Sequence, residues 1–136
     1  MKELTVEARI ENIPAVIEFV DEQLTHMGCP VKAQMQIDLA IDELFANIAR
    51  YAYGPDGGQA TVRVEKQEIP PMAVITFIDR GIPFDPLKKE DPDTTLSAVE
   101  RQVGGLGIYL VKKSMDGMAY EYKDGQNILT VKKAIA

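Results

Sequence analysis

Three short stretches of this chain carry residue types that could do chemistry. Glu43 and Asn47 lie four residues apart in VKAQMQIDLAIDELFANIARYAY, from Val31 to Tyr53, with Arg50 close to the same line. On a helix, side chains four apart stack one turn above the other, so this carboxylate and this amide point together. They form either an ordinary solvated face or the polar wall of a site. Asp79 closes the apolar run AVITFI and opens IDRGIPFDP. It either caps the turn leaving a strand or stands at the mouth of a pocket, where a carboxylate accepts the exocyclic amine of adenine and Gly81 lets backbone approach the ring. The third stretch is GGLG, Gly104 to Gly107, opening GGLGIYLVKKSMD. Its glycines serve a tight turn or close packing, or else bare their N–H groups at the positive end of a helix, where phosphate oxygens bind. The chain has no GxxxxGK[ST], and no GxGxxG stands in a βαβ unit, so the two commonest phosphate-binding loops are missing.

The elements that must position these residues follow from periodicity. Ile37, Ile41, Leu44 and Ile48 fall at helical spacing, which predicts a long amphipathic helix over Val31–Tyr53 lying against a sheet. Leu4, Val6 and Ala8 alternate with polar residues and predict an opening edge strand. Asn12 is a candidate N-cap, Pro14 is tolerable in a first turn, and Ile13, Val16, Ile17, Val20 and Leu24 predict a first helix to about Met27, broken by Gly28, Cys29 and Pro30. His26 suits the carbonyl end of that helix. After the turn cluster GPDGG, Ala60, Val62 and Val64 predict a second strand and Ala73 to Ile78 a central one. From Arg80 to Gly104 the pattern dissolves into a long loop or lid with one short helix around Thr95 to Arg101. GGLGIYLVKKSMD predicts a third helix. Met118 to Tyr122 and Ile128 to Val131 then predict a hairpin about Asp124-Gly125.

At 136 residues the chain suits a single domain, and 46% hydrophobic with 26% charged residues fits a folded soluble protein. A net charge of -6 gives no reason to expect nucleic acid or an anionic membrane as partner. One cysteine, Cys29, excludes an internal disulfide and a Cys-based structural zinc site. The start has no apolar run of signal-peptide length, and no segment approaches the roughly 20 apolar residues of a membrane span. The expected location is the cytoplasm.

Taken together and in order, IDELFANIARYAY, IDRGIPFDP and VGGLGIYLVKKSMD resemble the N, G1 and G2 boxes of the GHKL, or Bergerat, ATP-binding fold. Within it they look most similar to the anti-sigma-factor serine/threonine kinases, and the resemblance covers nearly the whole chain. It implies an α/β (α+β) two-layer sandwich, a mixed and mostly antiparallel sheet with three helices on one face. It implies ATP and Mg²⁺ as cofactors, with Asn47 binding the metal, Asp79 and Gly81 holding adenine, and Gly105, Leu106 and Gly107 lining the phosphates. Glu43 becomes the general base, and Thr130 looks like a threonine that reaches adenine through water. Arg50, Lys88, Lys89 and Arg101 are available to neutralise phosphate charge, although solvated surface is the plainer role for each.

The implied activity is a protein serine/threonine kinase that phosphorylates a STAS-like anti-anti-sigma partner and binds a sigma factor in transcription regulation, in a chain that could form a homodimer. One departure stands out: Pro83 occupies the place of a second glycine in Asp-x-Gly-x-Gly, which fixes φ and removes an N–H. It motivates a second reading, a nucleotide-responsive module that sequesters a partner without transferring phosphate. A histidine-kinase reading fits poorly, because 136 residues leave no room for a dimerisation and phosphoacceptor domain.

Overall fold

The alternation at the start of the chain becomes β1 (Lys2–Glu7), an edge strand as expected. It is followed by α1 (Ile13–His26), α2 (Val31–Tyr51), β2 (Gln59–Gln67), β3 (Met72–Asp79), α3 (Gly105–Ser114), β4 (Gly117–Lys123) and β5 (Gln126–Ala134). This computed structural model describes residues 1–88 and 105–136. The expected helix around Thr95 to Arg101, most of the lid, and Lys89 lie outside the described residues. No helix among the described residues is long and apolar enough to cross a membrane.

The five strands run in the order β1-β2-β3-β5-β4, and every pairing is antiparallel, so the expected mixed sheet is antiparallel throughout the described residues. The C-terminal hairpin turns at Asp124 and Gly125, both with positive φ, as a two-residue turn of matching twist requires. Because strand side chains alternate, register alone decides what faces the helices. Val62, Phe77 and Leu129 share one cross-strand row, and Val64, Ile75 and Val131 the next. All six are in the core with Val16, Val20 and Leu24 of α1, Ile37, Ile41, Leu44 and Phe45 of α2, and Val111 of α3. Each large side chain so buried stabilises the fold by about 1.5–3 kcal/mol relative to exposure. All three helices therefore cover the same face, and Thr61, Thr76, Ile128 and Thr130 are on the other.

Helix boundaries show which local signals act. Gly28, at φ 72, ends α1: its N–H bonds the Thr25 carbonyl at 3.1 Å and the Cys29 N–H bonds that of Leu24 at 3.0 Å, a Schellman motif. His26 stands in the last turn, where the sequence put it. Asn12 occupies the N-cap position, but its side chain makes no cap; its Nδ2 donates to the Glu7 carbonyl at 2.8 Å, fastening the helix start to the end of β1.

Candidate functional site

Three chain segments end at the same place: the C-terminus of α2, the last residue of β3 and the start of β5. Asp79 shares its cross-strand row with Ala60 and Asn127, on the helix side of the sheet. The carboxylate is 6% exposed, and its Oδ1 accepts the Gly81 N–H at 2.9 Å and the Asn127 Nδ2–H at 2.9 Å. Asn127 Nδ2 also donates to the Ile82 carbonyl at 2.9 Å, while its Oδ1 accepts the Phe84 N–H at 3.1 Å and the Tyr120 hydroxyl at 2.5 Å. Burial raises the Tyr120 phenol above its ordinary range, which keeps the proton it donates. The segment after Asp79 is thereby strapped to β5.

These groups line a pocket of about 460 Å³, counting space open to solvent. Leu44, Asn47, Ile48 and Ala52 of the α2 side, Phe77 and Leu129 of the sheet, and Ile82 and Phe84 of the strap supply its walls. Ile48, expected on the sheet-facing stripe of α2, is partly buried as one of these walls, packed beside the core. The pocket is therefore mostly apolar, with a few polar groups converging on it, as small-molecule sites commonly are.

Gly81 is required by space. A Cβ there would run into the carbonyl group of Ala52, and the neighbouring Ile82 N–H bonds that same carbonyl at 2.9 Å. At Gly107 a Cβ would meet the Glu43 carboxylate, the movable end of that side chain, so the first turn of α3 sits directly against Glu43. A carboxylate at this positive helix end is electrostatically favourable. Glu43 thus adjoins the glycine turn, and Asn47, one turn further along α2, lines the pocket. Gly105 and Leu106 open α3; their side-chain surroundings, like Arg101, lie outside the described residues. Arg50 and Lys88 are exposed and do not line the pocket.

Thr130 requires correction. It pairs with Thr76, three residues before Asp79, and so points to the opposite face of the sheet. The polar residue that β5 brings to the pocket is Asn127. The strand pattern held its signal: counting by twos from the core residues Val131 and Leu129 arrives at Asn127, not Thr130.

A sheet covered on one face by helices, with a polar strand end and a glycine-opened helix about one pocket, defines a class of nucleotide-binding domain. Residues 6–133 match the histidine kinase-like ATPase domain, and the chain belongs to that family, also called GHKL. It is 26% identical over 135 residues to the serine-protein kinase RsbW of Bacillus pumilus, covering 96% of this chain and 83% of that one. It is 27% identical over 100 residues to the serine/threonine-protein kinase BtrW of Bordetella bronchiseptica, covering 74% and 70%. Among solved structures, the RsbU and RsbW domains of Rv1364c from Mycobacterium tuberculosis superpose with a TM-score of 0.63 at 16% identity, over 99% of this chain and 33% of that one. The nucleotide-free catalytic domain of histidine kinase ThkA gives 0.52 at 13% identity, over 99% and 98%. The chain is thus a distant homologue of the RsbW and BtrW kinases with the fold of histidine kinase catalytic domains.

Family membership implies ATP binding, and the residues present fit it. Asp79 offers a fixed acceptor to an exocyclic amine and apolar walls suit the faces of a flat ring, while Gly81 does not line the pocket and serves the close contact with the Ala52 carbonyl.

Proposed function

We propose that this protein is an ATP-dependent serine/threonine kinase of the anti-sigma type, acting on a small STAS-like anti-anti-sigma partner and binding a sigma factor as its second activity. The observation that carries this reading is the buried Asp79 carboxylate, fixed by Gly81 and Asn127 in a pocket whose α2 wall bears Asn47, with Glu43 one turn away against the glycine turn. The distant homology to RsbW and BtrW supports the choice of substrate class.

Asp79 accepts the amine of adenine, and guanine, which lacks a donor at that position, is refused. The N–H groups of Gly105, Leu106 and Gly107 receive phosphate oxygens. Asn47 offers its amide oxygen to Mg²⁺, a cation that prefers one or two protein oxygens together with phosphate. When bound, the metal neutralises charge on the transferred group. Glu43 takes the proton of the attacking hydroxyl as its oxygen bonds to the γ-phosphorus, and the bond from that phosphorus to the β-phosphate oxygen breaks to release ADP.

Calorimetric titration with ATP and with GTP, each with Mg²⁺, tests the pocket: ATP binds, GTP does not, and Asp79→Asn abolishes binding. Equal binding of GTP would remove the adenine assignment. Transfer of labelled γ-phosphate to a STAS-like protein tests the chemistry, and Glu43→Ala is expected to slow it by about 10²–10⁴-fold. Full activity in that variant would end the role of Glu43 as base. Pro83 favours one other reading, the partner-sequestering module, and ATP binding with no phosphate incorporated into STAS-like partners is the result that selects it.

A further inference from the structure

At one end of the sheet, neighbouring residues face opposite cavities. Ala52, Asp79 and Asn127 line the nucleotide pocket on the helix side. Their immediate neighbours Tyr53, Ile78, Arg80 and Gln126 line a second cleft on the other side, completed by Thr5, Gln59 and Thr61. It encloses about 590 Å³, counting space open to solvent. Thr5, Thr61 and Ile78 form its floor as one cross-strand row, with the two threonine hydroxyls 2.7 Å apart. Tyr53 forms a wall: its ring lies over Gly58, where any Cβ would collide with it, and its hydroxyl donates to the Gln59 carbonyl at 2.5 Å and accepts the Arg80 N–H at 2.8 Å.

The lining holds one cation and no carboxylate. Arg63 is paired with Glu3 at 2.7 Å and Arg9 lies near Glu7 and Glu11, whereas no carboxylate among the described residues pairs with the Arg80 guanidinium. In a chain of net charge -6, that leaves a planar fork of donors unneutralised at a cleft whose other polar groups are amides and hydroxyls. This chemistry matches an oxyanion, which a guanidinium engages through two parallel bonds.

We infer that the outer cleft is a regulatory site for a small oxyanion, either free phosphate or a low-molecular-weight carboxylate, with Arg80 as its charged donor and Asp79 as the point where occupancy is felt. The path is short. An anion drawing on the Arg80 side chain loads a backbone unit whose N–H is pinned to Tyr53, and whose two neighbours, Asp79 and Gly81, are bonded to each other across it. Asp79 is in turn bonded to Asn127, so the nucleotide pocket and the cleft share one strand end.

The test uses amide-resolved NMR on the nucleotide-free chain, titrated at constant ionic strength with inorganic phosphate and, separately, with succinate. Either anion is expected to produce saturable shifts in the backbone amides of Gln59, Thr61 and Arg80 together with the Asn127 side-chain amide, and the stronger of the two identifies the source. Arg80→Gln, at an exposed position, keeps the rest of the spectrum and weakens the response at least about tenfold, the loss expected for a charged hydrogen bond; Arg80→Lys retains part of it. Non-saturable shifts, or equal responses in Arg80→Gln, overturn the site. Shifts confined to the α3 glycine turn place the anion in the nucleotide pocket and overturn it equally. Cleft shifts with Asn127 unmoved overturn the coupling. Because no nucleotide is present, failure here is distinguishable from failure of the kinase reading.

Discussion

The side chain of Asn127 uses all of its hydrogen-bonding capacity inside the protein. Two donors converge on its Oδ1, from Tyr120 and Phe84, and its Nδ2 serves Asp79 and Ile82. Asn127→Leu removes all four bonds and leaves the Tyr120 hydroxyl and two backbone groups without partners. The expected cost is about 1–3 kcal/mol of stability for each group left buried and unpaired, with ATP affinity down at least about tenfold. Chemical denaturation and calorimetry measure the two effects; an unchanged denaturation midpoint would mean that the network holds nothing. At this scale the sequence was partly legible. Asp79, Glu43 and Asn47 stood out because a carboxylate ending an apolar run, and polar groups stacked on a helix, conflict with their surroundings. Asn127 did not, because its meaning depends on register with a strand 48 residues away. Thr130 failed for the same reason: one odd step along β5 reverses the face.

Helices were legible where period and breaker agreed. The apolar stripe of α2 and the Gly28-Cys29-Pro30 break both occur where expected, since each signal is local. Gly28 has open space around its missing Cβ but a φ of 72, so Gly28→Ala costs backbone strain alone, about 1–2 kcal/mol by thermal unfolding. Side-chain partners of helices were less legible, as the displaced Asn12 cap shows. Packing of α1 on α2 also brings Asp21 against Asp38, and no donor of any other described residue reaches the buried Oδ1 of either, so only a proton carried by one of the two carboxyls can join them. Burial first, then the hydrogen bond and charge of Asp21, push the Asp38 carboxyl up to about 7 from the ordinary aspartate value of 3.8. The folded protein therefore holds a proton that the unfolded chain has released. This group's contribution is fully present below about pH 4 and is lost as pH rises through 7. Asp38→Asn, which cannot ionise, is expected to unfold at a higher temperature than the native chain at pH 8, with the difference disappearing by pH 4. A difference independent of pH would refute the shared-proton account.

For the whole molecule, a ligand that binds only the folded state adds stability by mass action. ATP at about 100 times its dissociation constant should contribute about 2.7 kcal/mol, or roughly 10 °C in the unfolding midpoint at about 4 °C per kcal/mol for a domain of this size. Thermal scans with ATP and Mg²⁺ read this directly, and Asp79→Asn should show no rise. The layer arrangement was legible from alternation and helical period, whereas strand order was not, because nothing local in β4 or β5 says which of them joins β3. That order has a temporal consequence. A ribosome delivers residues in chain order, so both long helices and the first three strands are available before Asn127 is made. β5, inserted between β3 and β4, brings Asn127 to the pocket after every other strand of the sheet has been made. A nascent chain is therefore blind to ATP. Termination inside the last hairpin should abolish ATP binding outright, not merely weaken it.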